Sequence, residues 1–398
     1  MINEKMLSLG KKSSVIREIF EYGKKRKKEI GEENVFDFSL GNPSVECPDI
    51  VNKTLIDLIK NTPSVALHGY TSAVGDLGAR EAICNYINNK YNACEKAENV
   101  YLTVGAAASL TISLNAVLNE GDEVVVFAPF FPEYRVFCEK AGGVLRQALC
   151  DNKTFQPDIE NFASIITEKT KAVIINSPNN PTGVIYTKEN IIKICEILKE
   201  KQKCYGKEIF ILSDEPYREL VYSDKEVTYI PKYYENTIIC YSFSKSLSLP
   251  GERIGYVMVS HTCKNVRDVY FAICGAGRAL GFVCAPALFQ YMIPKCIGLT
   301  SDINVYKENR DVLYKALTSY GYEVVYPDGA FYLFVKSPET SATDFCERAK
   351  KYELLLVPSD SFGVGGYVRI SYCVSGEMIK KSLPSFEKLS REYKEELK

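Results

Sequence analysis

The residues able to do chemistry in this chain gather around one lysine. Residues 241–256 read YSFSKSLSLPGERIGY, with Ser242 and Ser244 just before Lys245 and Arg253 shortly after it. Hydroxyls and a guanidinium around an amine make a dianion site. That set suits a lysine forming a Schiff base with a phosphate-bearing aldehyde. The competing reading is a solvated lysine on a surface turn. Asp214, in SDEPY, follows an apolar run. A carboxylate at a buried strand end needs a partner, and a protonated pyridine nitrogen is one; a helix N-cap is the other reading. Tyr217 is placed to donate to a phenolate oxygen on such a ring. In SPNNPTG, residues 177–183, Asn180 sits before a proline with its amide aimed into a site or folded into an Asx turn.

Three weaker signals accompany these. Ala106 and Ala107 open a helix after Gly105, where small residues let an anion approach free N–H groups, although small helix starts are common in packed cores. Phe130 and Phe131 follow a strand and offer a stacking face, or are simply core. Arg369, in YVRISY, is able to fork onto a carboxylate if it points inward, or to face solvent from an edge strand.

The elements that must hold these residues have a regular order. From residue 100, apolar strands alternate with loops and helices: 100–104, 123–127, 144–149, 171–176, 208–212 and 237–241 read as strands. This predicts an α/β fold, a mainly parallel sheet sandwiched by helices, with ligands bound beyond the carboxyl ends of the strands. The polar candidates fall at those ends. After about residue 293 the pattern becomes a smaller α+β unit. The expected division is 1–45 as an N-terminal segment of the small domain, 46–292 as the large domain and 293–398 as the small C-terminal domain. Residues 13–28 read as a helix whose basic end, KKRKK, is solvated. The loop 61–75, with His68 and Tyr70, has no structure of its own in this reading, and its length marks it as functional.

Composition narrows the classes. At 398 residues the chain suits two domains, and its formal net charge of -1 argues against nucleic acid or an anionic membrane as partner. The start, MINEKMLSLGKKSS, lacks a secretory apolar run, and the charge-free stretch 99–119 carries too many hydroxyls for a membrane span. The 14 cysteines include no CxxC pair, which points to a reducing, cytoplasmic setting without disulfides or structural zinc. With 2 histidines, a His triad or His-rich metal site is not expected, and proton transfer falls to Lys, Tyr or a carboxylate.

Four motifs in this order (NNPTG, SDEPY, SFSKSLSLPGERIGY and a late RIS) make the chain resemble the class I and II aminotransferases of fold-type I pyridoxal-phosphate enzymes, from about residue 35 to the last helix. The resemblance implies pyridoxal 5'-phosphate on Lys245, Asp214 against its ring nitrogen, and Tyr217 and Asn180 on its ring oxygen. It implies Phe131 stacked on the ring, and Ser242, Ser244, Arg253 and the amides of Ala106 and Ala107 on the phosphate. Arg369, with Asn180 and the backbone of Gly41, would take the substrate α-carboxylate. Tyr70 resembles the tyrosine that reaches the partner's phosphate, which implies a homodimer. The implied substrates are an L-amino acid, aspartate or aromatic, and a 2-oxo acid such as 2-oxoglutarate. Small-domain closure with Ile16 and its neighbours is expected to exclude water.

The chain departs from the family in places. The phosphate loop reads GAAAS without a lysine, and the stacking position is phenylalanine in a chain with no tryptophan. No second arginine matches the family's reader of a side-chain carboxylate; Arg278, in GAGRALGF, is a candidate, or else structural or phosphate-side. Two rivals remain open on the motifs: a pyridoxal-phosphate carbon–sulfur β-lyase, and a regulatory sensor on the same fold. About 35 residues precede the first strand, too few for a helix-turn-helix module plus linker.

Overall fold

The computed structural model describes residues 2–11 and 14–396. Its centre is a seven-stranded sheet in the order 100–103, 255–259, 237–242, 210–214, 170–176, 123–127, 144–148. Only Gly255–Val259 runs against its neighbours; the other pairings are parallel, as the strand–helix alternation predicts. The strands Glu123–Phe127, Thr170–Asn176 and Phe210–Asp214 are buried almost throughout, as expected where helices cover both faces. The edge strand Val144–Ala148 is largely exposed, with Arg146 at its centre and Gln147 toward its end.

A second sheet, of four antiparallel strands, is built from Val324–Val325, Tyr332–Lys336, Val357–Pro358 and Tyr367–Ser371. Phe36–Asp37 pairs in parallel with Leu354–Leu355, so the start of the chain packs with its end. The Val15–Ile30 helix lies over this junction, with Ser14 capping Arg17 N–H. Its basic run is not simply solvated. Arg26 bonds Glu353 at 2.6 Å and Lys27 bonds the nearly buried Asp37 at 3.3 Å, which docks the helix. Ser13, the expected helix start, lies outside the described residues. The expected loop 61–75 contains a short helix, Ser64–His68, entered through Pro63. Among the described residues no helix is long and apolar enough to cross a membrane, and no group of three or more His, Cys, Asp or Glu could hold a metal ion.

Behind the carboxyl edge of the large sheet lies a buried ion cluster. Arg218 donates to Glu215 at 2.9 Å, to Glu219 at 3.0 Å and to the Tyr256 hydroxyl at 3.1 Å, and its guanidinium lies 4.3 Å from the Tyr241 ring centre. Ser213 donates to Glu215. Tyr241 donates to Glu219 at 2.9 Å and meets the Ser246 hydroxyl at 2.9 Å. The cluster therefore ties the end of Phe210–Asp214 to the turn that carries Lys245. Removing the cation alone leaves two carboxylates buried without a counter-charge. Arg218→Met should lower unfolding free energy by about 3–5 kcal/mol, read from denaturant midpoints. Adding Glu215→Gln and Glu219→Gln should recover part of that loss.

Candidate active site

Three parallel strands end side by side. Asn176 is in register with Asp214, and Asp214 with Cys240, two residues before Ser242. The segments leaving these strand ends form the wall of one cavity of about 540 Å³. Lys245, Asp214, Tyr217, Asn180, Ser242, Ser244 and Arg253 line it. So do Ala106, Ala107, Phe131, Gly41 and Arg369. Tyr70 does not: it stands 99% exposed, away from this cavity. His68 and Arg278 are also exposed and absent from its walls.

Lys245 sits in a single helical turn, Phe243–Ser246, started by Ser242, whose hydroxyl accepts from Ser244 N–H. Its Nζ donates to the Gly41 carbonyl at 2.6 Å. Burial pushes the ammonium down to about 8; Cys373 opposes this, and Arg253 and Arg369 add to it. Ser242 and Ser244 share a hydroxyl contact of 2.7 Å, and Arg253 donates to Ser244 at 3.3 Å. Gly105 has φ +95°, and a Cβ there would lie 2.7 Å from the Arg253 guanidinium. Its missing side chain lets the arginine lie against the start of the Ala106–Val117 helix, where backbone N–H groups are unpaired. Cation, hydroxyls and helix start converge as an anion cradle.

Asp214 is buried at the opposite kind of post. One carboxylate oxygen accepts from the Tyr134 hydroxyl; the other, Oδ1, has no partner. Burial pushes the carboxyl up to about 7, the Tyr134 bond resists, and Glu215 adds to the push. Asn176 holds the turn: its Nδ2 donates to the Asp214 carbonyl at 3.0 Å and its Oδ1 accepts from Asn180 N–H at 2.8 Å. Asn180 in turn accepts from Arg369 at 3.1 Å, and Arg369 also donates to the Ser39 carbonyl at 2.6 Å. Arg369 is 2% exposed, its Nε is unpartnered, and no carboxylate of the described residues pairs with it. Burial pushes its guanidinium below the usual arginine range.

Sequence reasoning missed Tyr134, Asn176 and Tyr332. Tyr134 lies 80 positions before the aspartate it bonds, and only its place one turn after FFP hints at a site. The Tyr332 hydroxyl meets that of Tyr217 at 2.8 Å. Arg17, Phe20 and Glu21 of the Val15–Ile30 helix, together with Ile16, form the cavity rim.

A carboxyl raised from 3.8 to about 7 keeps its proton across that interval only in the folded chain. Asp214 therefore removes stability from the ligand-free protein as pH rises through the same window. Asp214→Asn removes the titration. Its unfolding free energy relative to the wild type should climb between pH 3.8 and about 7. A difference that does not change with pH, in parallel denaturant melts, would contradict the assignment.

The family model for aminotransferase class I and II matches residues 33–385. An aspartate aminotransferase of Thermotoga maritima is 30% identical over 361 residues, spanning 89% of this chain and 91% of that protein. The aromatic-amino-acid aminotransferase 2 of Thermococcus litoralis is 27% identical over 96% of each chain. A solved aminotransferase structure from Eubacterium rectale superposes with a TM-score of 0.96 at 53% identity, covering 99% of both chains. These relatives are transaminases rather than carbon–sulfur lyases, so the lyase alternative is not favoured. With its parallel sheet and the full-length matches, the chain belongs to the class I and II aminotransferases.

Proposed function

We propose that this aminotransferase works with pyridoxal 5'-phosphate carried on Lys245, moving an amino group between an L-amino acid and a 2-oxo acid. The observation that carries the reading is the unpartnered Oδ1 of buried Asp214 on the same cavity as Lys245. A buried carboxylate lacking one donor fits a ligand that brings an N–H. The other residues present fit the same group: the cradle of Ser242, Ser244, Arg253, Ala106 and Ala107 suits a phosphate, and Phe131 offers a ring face beside it.

When bound, the cofactor supplies an electron sink for bond breaking at the amino acid's α-carbon. The chain's own residues supply the rest. Asp214 stays ionised when its orphan oxygen receives a charged N–H, which offsets the burial that otherwise protonates it. Lys245, its ammonium brought down to about 8 by burial, would take the proton from the donor's α-carbon and, in the return half, give one to the α-carbon that was the carbonyl of the 2-oxo acid. Tyr217 and Asn180 would donate to the ring oxygen, and Arg369 would fork onto the α-carboxylate with Asn180 and the Gly41 loop beside it. Ile16 and Phe20 on the rim exclude water when the Val15–Ile30 helix closes.

The division at 45/46 and 292/293 belongs to this proposal, and pairing of Phe36–Asp37 with Leu354–Leu355 supports joining the chain start to the C-terminal unit. So does a homodimer in which Tyr70 enters the partner's site. In support, Tyr70 is 99%, Val65 88% and Ile59 58% exposed on one short segment. Fourteen free cysteines support a reducing, cytoplasmic setting. The Thermotoga and Thermococcus relatives act, by name, on aspartate and on aromatic amino acids. Arg17 on the rim has no ion-pair partner among the described residues and is suited to a second carboxylate, which favours aspartate and 2-oxoglutarate.

Borohydride reduction and peptide mapping should mark Lys245, and Lys245→Ala should lower turnover by about 10³-fold or more. An unlabelled Lys245, or an active variant, overturns the reading. Arg17→Gln should raise KM for aspartate by about two- to fivefold and leave KM for phenylalanine unchanged; equal changes for both donors would remove Arg17 from substrate selection.

A further inference from the structure

Tyr332 lines the cavity and meets Tyr217, Arg369 and Gly41, yet the proposed chemistry gives it no task. It begins the strand Tyr332–Lys336, in which Phe334 is directly opposite Arg369. Two residues back along the strand, Tyr332 shares a face with Phe334 and lies diagonally from the arginine. The Arg369 guanidinium accordingly sits 4.6 Å from the Tyr332 ring centre. The Tyr332 hydroxyl lies 2.8 Å from that of Tyr217 and fills the space a Cβ would need at Gly41, whose carbonyl accepts from Lys245. Residue 41 has to be glycine for the phenol to reach this point.

We infer that Tyr332 is a positioning residue that acts through two neighbours: its hydroxyl donates to Tyr217 and its ring face carries Arg369. Burial holds both phenols protonated, Tyr332 pushed up to about 12 and Tyr217 higher still. One therefore donates and the other accepts. With Tyr332 donating, the proton of Tyr217 is left for the cavity, and a phenol that accepts a hydrogen bond is a stronger donor in turn. The inference rests on the cofactor reading, because Tyr217 is placed against the ring oxygen there.

The test is a pH titration of the visible absorbance of the holoenzyme. A donor at the ring oxygen lowers the proton affinity of the chromophore. Tyr332→Phe keeps the ring under Arg369 and removes the hydroxyl, so the titration midpoint should rise by about 0.3–1 pH unit while KM for the amino donor stays put. Tyr332→Leu should give the same rise together with a KM about two- to fivefold higher. In a Tyr217→Phe background, Tyr332→Phe should no longer move the midpoint. An unchanged or lowered midpoint overturns the inference, and so does an equal rise in both backgrounds. A merely structural role would shift the melting midpoint instead. A wild-type protein with no titrating visible band would refute the cofactor reading itself, a result distinct from a wild-type band that Tyr332→Phe leaves in place.

Discussion

The arrangement of the site depends on a cation that never meets a ligand. Arg218 spends its charge on Glu215 and Glu219 behind the sheet edge, under the stacked rings of Tyr241 and Tyr256. Such a cluster adds little net stability compared with apolar packing, because desolvating three charges offsets most of their attraction. Its value here is geometric. Glu215 follows Asp214 directly in the chain, and Glu219 reaches the lysine turn through Tyr241 and Ser246. The ladder that pairs Asp214 with Cys240 sets the spacing of the two strand ends, and the cluster adds side-chain ties from there to the lysine turn.

On the cavity side of the same edge the charge balance is reversed. Lys245, Arg253 and Arg369 face in alongside the buried acid Asp214, while Glu21 and Glu133 also line the cavity. Nothing in the described chain neutralises Arg369, and one oxygen of Asp214 goes without a donor. Folded proteins seldom leave such groups unsatisfied in their interiors. The deficits are spatially separated, with a missing donor near Asp214 and missing anions near Arg253 and Arg369. A ligand with a protonated ring, a phosphate and a carboxylate supplies all three.

Much of this was legible in the chain because it is local. Apolar runs ending in Asn176, Asp214 and Ser242 mark strand ends, and the strand–loop–helix rhythm requires those ends to share an edge. The motifs around Lys245 and Asn180 combine turn chemistry with functional side chains, so one signal gives both. What escaped is non-local. Tyr134 looks like a core aromatic until the sheet brings it to Asp214, and Tyr332 is one of several aromatics in FYLF whose faces only the strand register distinguishes. The basic run 24–28 reads as solvated because its acidic partners, Asp37 and Glu353, are distant in sequence or belong to another element. The short Ser64–His68 helix hid behind Pro63, a residue as common at helix starts as in loops.

The rim and the floor of the cavity come from different parts of the molecule. The floor is the sheet edge, buried and interlocked. Ile16, Arg17, Phe20 and Glu21 belong to a surface helix that buries only Ile19 and Gly23. Under the proposed reading, exchanges at Ile16, Arg17, Phe20 and Glu21 would alter the rim without touching the residues that line the sheet edge.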